Sequence, residues 1–409
     1  RNLDQYELYV QEAQGEYVDI ILFPEDGLYG ASFYTRDEIL PYLEFIPDVD
    51  NDNYVNPCDE LSTISPILSR ASCIAKMYNI TMGLDMGEIK LCDKDTDSNC
   101  PSDNRYQYNT LVVFASSGDL VAKYHKSHLY YEPQFDAPKA PEIVWFESDF
   151  GVRFGLMICF DLMFEDPQLI LYNLGIRNFL WSSWWVDEPP LITGTQVELA
   201  RSLSLPSNFL ASGIGLSWYN SGSGIYSYGT ALKHWYNFSI HPLSKMMIAD
   251  VPINPEFEQN IPIENEEEEE EENIPSFTSN CNTNTSTLPT ITTFNILPGE
   301  SYNISSTSNN LTCNALLRVS VDSNSGDLFG VYSLDGIYNN LFPAQICAIM
   351  RCYDEECTSP ILDTSSYFDY FELSGNFNTE SLYMMYPMVA KQNALIIDPS
   401  SYATNSIIK

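Results

Sequence analysis

The stretch VRFGLMICFDLMFEDP, residues 152–167, constrains the chain most. Phe154, Leu156, Met157 and Ile158 make an apolar run that ends in Cys159, and Asp161, Glu165, Asp166 and Pro167 follow at once. The next segment, QLILYNLG, has helical apolar periodicity and closes on Gly175. A strand that stops on a cysteine and turns into a helix presents the sulfur at the edge of a buried sheet, beside free backbone N–H groups. Such groups can hold a developing oxyanion, which makes Cys159 a candidate nucleophile and the Phe160 N–H a candidate donor. The competing reading is a buried structural cysteine or half of a disulfide, since structural thiols outnumber reactive ones.

Two other stretches repeat the pattern. In VDIILFPEDGLYG an apolar run over residues 18–23 is broken by Pro24, and Glu25 stands at its end as a helix cap or a base. YNTLVVFASSGDLVAKY predicts a hairpin whose returning strand runs into His125 and Lys126. A lysine in such a loop is ordinarily a solvated charge. Glu25, Lys126 and Cys159 thus share one structural address, and strands of one α/β layer can bring their ends together. The chemistry is coherent without metal or cofactor. A thiolate attacks a carbonyl or nitrile carbon, a carboxylate takes the thiol proton and later activates water, and an ammonium holds the oxyanion.

The rest of residues 1–252 reads as strand and helix in alternation, with near-continuous apolar strands, which predicts a layered α/β domain. Helices are expected over residues 1–16, 67–77 and 194–205, and strands at 80–84, in IRNFLWSSWW and in NFLASGIGL. Trp184 and Trp185 either wall a pocket or pack in the core. NSGSGIYSYGT reads as a glycine-rich turn, and with no Lys-Ser/Thr after its glycines it is a poor phosphate cradle. Residues 253–280, with seven consecutive glutamates at 266–272, are expected to be a disordered acidic linker. Residues 281–409 change character: short alternating strands (ALLRVSV, DLFGVYSL, YMMYPMVA) and five cysteines predict a mostly β, disulfide-stapled second domain.

Charge and cysteines narrow the setting. The net charge is −37, and −30 without the glutamate run, which disfavours nucleic acid and anionic membranes. No apolar run reaches the roughly 18 residues of a membrane span. Cys92 and Cys100 flank a polar loop without histidines or paired C-x-x-C spacing, and a local disulfide is preferred over a metal site. Ten cysteines and the glycosylation triplets at Asn79, Asn237, Asn284, Asn303 and Asn310 point to the secretory route. The chain opens on Arg1 within a helix-like segment, so an earlier strand and a cleaved leader are expected to precede it.

FPEDGLYG, the YHK at Tyr124–Lys126 and the ICFD at Ile158–Asp161 resemble the three motifs of the nitrilase superfamily. NRYQYNTLVVF, YHKSHLYYEPQFD, MICFDLMFEDP, NFLAS and GSGIY together resemble its vanin and biotinidase branch, well over residues 1–250 and more loosely beyond, most clearly in QICAIMRC. The resemblance implies an α-β-β-α sandwich. It carries the family's base onto Glu25, its lysine onto Lys126, its nucleophile onto Cys159 and an auxiliary glutamate onto Glu132. Tyr131, Trp184 and Trp185 are then candidates for substrate contact.

The implied reaction is hydrolysis of a linear amide, pantetheine-like or biocytin-like, through a thioester on Cys159. The expected partner is a small amide, with no nucleic acid, membrane insertion or evident lipid anchor, in a secreted monomer or homodimer. The alternative is a weak or inactive nitrilase-fold structural or storage protein, motivated by the acidity and the 27 tyrosines.

Overall fold

The structure is a computed structural model that describes residues 1–49, 54–187, 192–216, 220, 222–237, 241–253, 289–323, 326–338, 342–357, 360–361 and 366–377. Residues 254–280 of the expected linker, with its glutamate run, Cys281, Asn284, the segment YMMYPMVA and the C-terminal tail lie outside these residues.

Helix α1 (Asn2–Gly15) buries Leu3, Tyr6, Val10 and Ala13, a stripe at helical spacing. Strand β1 (Ile20–Leu22) follows, then two short helices in the acidic loop region, α2 (Arg36–Ile39) and α3 (Pro57–Glu60). Helix α4 (Pro66–Tyr78) buries Leu68, Ala71, Ile74 and Ala75 and ends at Asn79, whose φ of 51° lies in the left-handed region. Strands β2 (Thr81–Leu91), β3 (Arg105–Phe114) and β4 (Leu120–His125) complete a four-stranded sheet of order β1-β2-β3-β4. Next come β5 (Trp145–Glu147), β6 (Arg153–Ile158), α5 (Gln168–Asn173), β7 (Asn178–Ser183), α6 (Gly194–Ser204), β8 (Asn208–Gly213), β9 (Ser223–Ser227) and β10 (Thr230–Trp235). They build a six-stranded sheet of order β10-β9-β8-β7-β6-β5, parallel through β6, β7 and β8.

The apolar run in β3 explains how the layers stack. Side chains of a strand alternate between its two faces, so a strand covered on both sides is apolar throughout. Leu111 and Val113 point between the sheets, where they join Tyr124, Leu156, Phe179 and Trp181. Val112 and Phe114 point outward, against Val10 of α1 and Ala71 and Ile74 of α4. Each such aliphatic side chain contributes about 1.5–3 kcal/mol when fully buried. Helix α6 covers the other sheet and is buried along its whole length. The result is the expected α-β-β-α sandwich.

The second unit is antiparallel throughout. Strands β11 (Thr290–Asn295), β12 (Ser301–Ser308), β13 (Leu311–Val319), β14 (Leu328–Tyr338), β15 (Phe342–Cys352), β16 (Pro360–Ile361) and β17 (Phe368–Gly375) form two sheets, β11-β14-β15-β16 and β12-β13-β17. Leu311, Cys313, Ala315, Leu317 and Val319 alternate inward along β13. The Cys313–Cys347 disulfide ties the two sheets together, and Cys352–Cys357 closes a short loop. Leu334 and Tyr338 of β14 leave this core and join the main hydrophobic cluster of the first unit.

Several expectations change. The segment read as a glycine-rich turn is largely the hairpin of β9 and β10, turning at Tyr228 and Gly229. Cys92–Cys100 is present, and a second pair, Cys58–Cys73, joins α3 to α4. Asn79, Asn303 and Asn310 are exposed, as a glycan requires. Asn237 is 1% exposed and its amide donates to Gly215 O and His241 O, so it is not a glycan acceptor in this fold. Among the described residues, no helix is long and apolar enough to cross a membrane.

Candidate active site

Glu25 follows β1, Lys126 follows β4 and Cys159 follows β6. They do not come from one layer, as the strand pattern suggested. Glu25 and Lys126 stand at the end of the first sheet and Cys159 at the end of the second, so the site lies where the two sheets face each other. All three side chains are buried. Sheet-to-sheet hydrogen bonds fix the register, including Ser182 Oγ to Phe23 O at 2.8 Å.

Lys126 Nζ lies 2.6 Å from Glu25 Oε1 and 2.7 Å from Glu132 Oε2. Asn109 Nδ2 donates to both carboxylates, at 2.8 Å to Glu25 and 3.0 Å to Glu132. The Trp184 N–H donates to Glu25 Oε2 at 2.6 Å, and the Tyr130 N–H to Glu132 Oε2 at 2.8 Å. Each glutamate therefore receives three donors. Burial would lower the Lys126 pKa, but Glu132, Glu25 and Cys159 together hold it well above the ordinary lysine range. The ammonium is a fixed positive charge in a dry setting. The Glu25, Asp26 and Glu132 carboxylates come close enough to suggest a cation site, but Glu25 and Glu132 each spend an oxygen on this ammonium.

Cys159 is the free cysteine among the described residues. Its φ of 42° is a strained conformation for a residue with a side chain, held by the turn that follows, Cys159–Met163. Asp161 locks that turn: its carboxylate accepts from the Ile158 N–H (2.9 Å), the Tyr124 hydroxyl (2.8 Å) and the His128 N–H (2.9 Å). The sulfur donates to Trp184 O at 3.6 Å, so the backbone of one residue touches the thiol through its carbonyl and Glu25 through its N–H. Burial pushes the thiol pKa well up, Glu25 pushes it further, and Lys126 offsets part of the rise.

The other candidates separate. Phe160 sits directly after the sulfur, in edge contact with Tyr130 and Phe164. Tyr131 is exposed, with φ 51°. Trp184 contributes its backbone to the site. Trp185 does not wall it: the ring packs on Trp181 in the inter-sheet core and its N–H donates to Ile192 O. Asn109 escaped notice in the sequence. Asn109 stands two residues before the apolar run Leu111–Phe114 of β3, and a residue disfavoured in strands at that place was the available signal.

Two facing sheets thus bring a strained cysteine, a buried ammonium and paired glutamates to one place. Residues 1–189 match the carbon-nitrogen hydrolase family, and residues 282–407 match the vanin C-terminal domain. The chain is 31% identical to biotinidase of Takifugu rubripes, over 98% of this chain and 82% of that protein. It is 32% identical to pantetheinase of Sus scrofa, over 94% of this chain and 74% of that protein. Among solved structures, an amidase from Nesterenkonia sp. AN1 aligns at 17% identity and TM-score 0.45, over 62% of this chain and 87% of that one. The chain belongs to the vanin and biotinidase branch of the carbon-nitrogen hydrolases.

Proposed function

We propose that this chain is a secreted amidohydrolase that cleaves a linear amide, pantetheine-like or biocytin-like, through a thioester on Cys159. The observation that carries the reading is the Lys126 ammonium, held 2.6 Å from Glu25 and 2.7 Å from Glu132 beside the free thiol. In the first half-reaction the Cys159 sulfur attacks the amide carbon as its proton passes to Glu25. Lys126 and the Phe160 N–H stabilise the tetrahedral oxyanion. The intermediate collapses, and the amine leaves with the proton from Glu25. In the second half-reaction Glu25 takes a proton from water, the hydroxide attacks the thioester, and the acid leaves as the thiol re-forms. Asn109 and Glu132 position the base and the ammonium.

Secretion is supported by four disulfides among the described residues and by exposed glycosylation triplets. A storage role is disfavoured, because burying an ammonium among carboxylates carries a desolvation penalty that a protein without turnover has no reason to bear. The test is release of amine from a panel of pantetheine, biocytin and simple amides. Turnover of pantetheine or biocytin, stopped by a thiol alkylator, is expected. No turnover on any of them by the folded protein would sink the reading.

A further inference from the structure

Behind Glu25 lies a second acidic pair that the reaction above does not use. Asp26 is 3% exposed and Asp85, in the middle of β2, is fully buried. The Asp26 N–H donates to Asp85 Oδ1 at 2.8 Å. Asp26 Oδ1, Asp85 Oδ2 and the buried Tyr6 hydroxyl have no hydrogen-bond partner among the described residues, and the Tyr29 hydroxyl lies against the Asp26 carboxyl as a donor to it. The charged and titratable groups that act most on the pair are Glu25 and Glu132 after their strands, Lys126 after β4, Tyr6 from α1 and Tyr29 from the loop after β1.

Donor supply divides these carboxyls. Glu25 and Glu132 take three donors each and share the ammonium. Asp85 takes one backbone N–H. One buried cation cannot neutralise four carboxylates, and an ionised carboxylate with an empty oxygen is costly to bury. We propose that Asp26 and Asp85 form a proton-bearing carboxyl pair that fixes the Glu25 turn and keeps added negative charge away from Cys159. They are positioning residues. Burial, then the neighbouring carboxylates, pushes both pKa values well up, against the opposing pull of Lys126.

The inference rests on the reading of Cys159 as the nucleophile, but its test uses no amide, so a failed substrate panel and a failed carboxyl pair are distinguishable. Asp26→Asn and Asp85→Asn mimic the protonated state, and asparagine tolerates the φ of 54° at position 26. Infrared difference spectra of the whole chain at neutral pH, wild type minus each variant, should show the carbonyl band of a protonated carboxylic acid that shifts in D2O. Only ionised carboxylate bands, with both variants folded by circular dichroism, would overturn the protonation. The pH dependence of Cys159 alkylation by iodoacetamide should keep its midpoint in the variants, because asparagine is as neutral as the protonated pair. A midpoint about one unit lower in both would mean that the wild-type pair is ionised and would overturn the proposal.

Discussion

The two units of this chain bury different things. Between and around the sheets of the first lie Glu25, Asp26, Asp85, Glu88, Lys126 and Asp161, all under a tenth exposed, and Glu198 and Arg201 of α6 besides. Among the described residues of the second, the buried polar side chains are serines such as Ser306 and Ser333, which hydrogen bond to each other. A core of leucine, valine, serine and disulfides is what stability alone requires. Buried charge opposes stability unless it is paired, so its concentration in one unit marks where the fold has been shaped for chemistry. The difference puts the buried charges in the sandwich, while Leu334 and Tyr338 of the β unit join the sandwich's hydrophobic cluster.

That contrast can be broken at several points. Replacing Lys126 with Met should lower kcat/KM by about ten-thousandfold or more, and should also destabilise the fold by about 3–5 kcal/mol, because Glu25 and Glu132 lose their shared cation. Parallel turnover and urea-unfolding measurements check both halves. Leu317→Ala, at the centre of the second core, should lower unfolding free energy by about 2–4 kcal/mol while kcat stays within about twofold. A collapse of kcat in the folded variant would assign chemistry to the β unit.

Asn109→Ala removes a donor from both glutamates and should reduce kcat roughly ten- to hundredfold, with little change in substrate affinity. The smallest effect concerns Glu198, whose carboxyl is raised by burial to about 8 despite its 2.7 Å hydrogen bond from Tyr226. It is protonated in the fold and ionised in the unfolded chain between about pH 4.5 and 8, so its contribution falls as pH rises through that window. Glu198→Gln should remove this slope and stabilise the fold at pH 7 by on the order of 2 kcal/mol. Urea midpoints at acid, neutral and mildly alkaline pH check it.

Much of the site was readable because its chemistry sits at strand ends. Glu25, Lys126 and Cys159 each break an apolar run, and a polar residue after such a run must lie near a sheet edge. Which sheet was not readable, since pairing is a non-local property: β1 joins β2, while β6 joins β7. Asp85 and Asn109 sit within strands, where a single polar residue carries no local sign of the facing layer. Trp185 shows the converse. An aromatic at a strand terminus is ambiguous until its neighbours are known, and here they are Trp181 and Ile192. In NSGSGIYSYGT the glycines masked two short strands. Gly229, at φ 76°, serves the tight turn between them.

Intact-protein mass spectrometry after acid quench, with each candidate amide in excess, tests the central assignment most directly. The account predicts a mass gain equal to the acyl half of the substrate, mapped to the peptide that carries Cys159 and lost in Cys159→Ala. Sustained amide hydrolysis by Cys159→Ala, or an acyl group mapped to another residue, would contradict it.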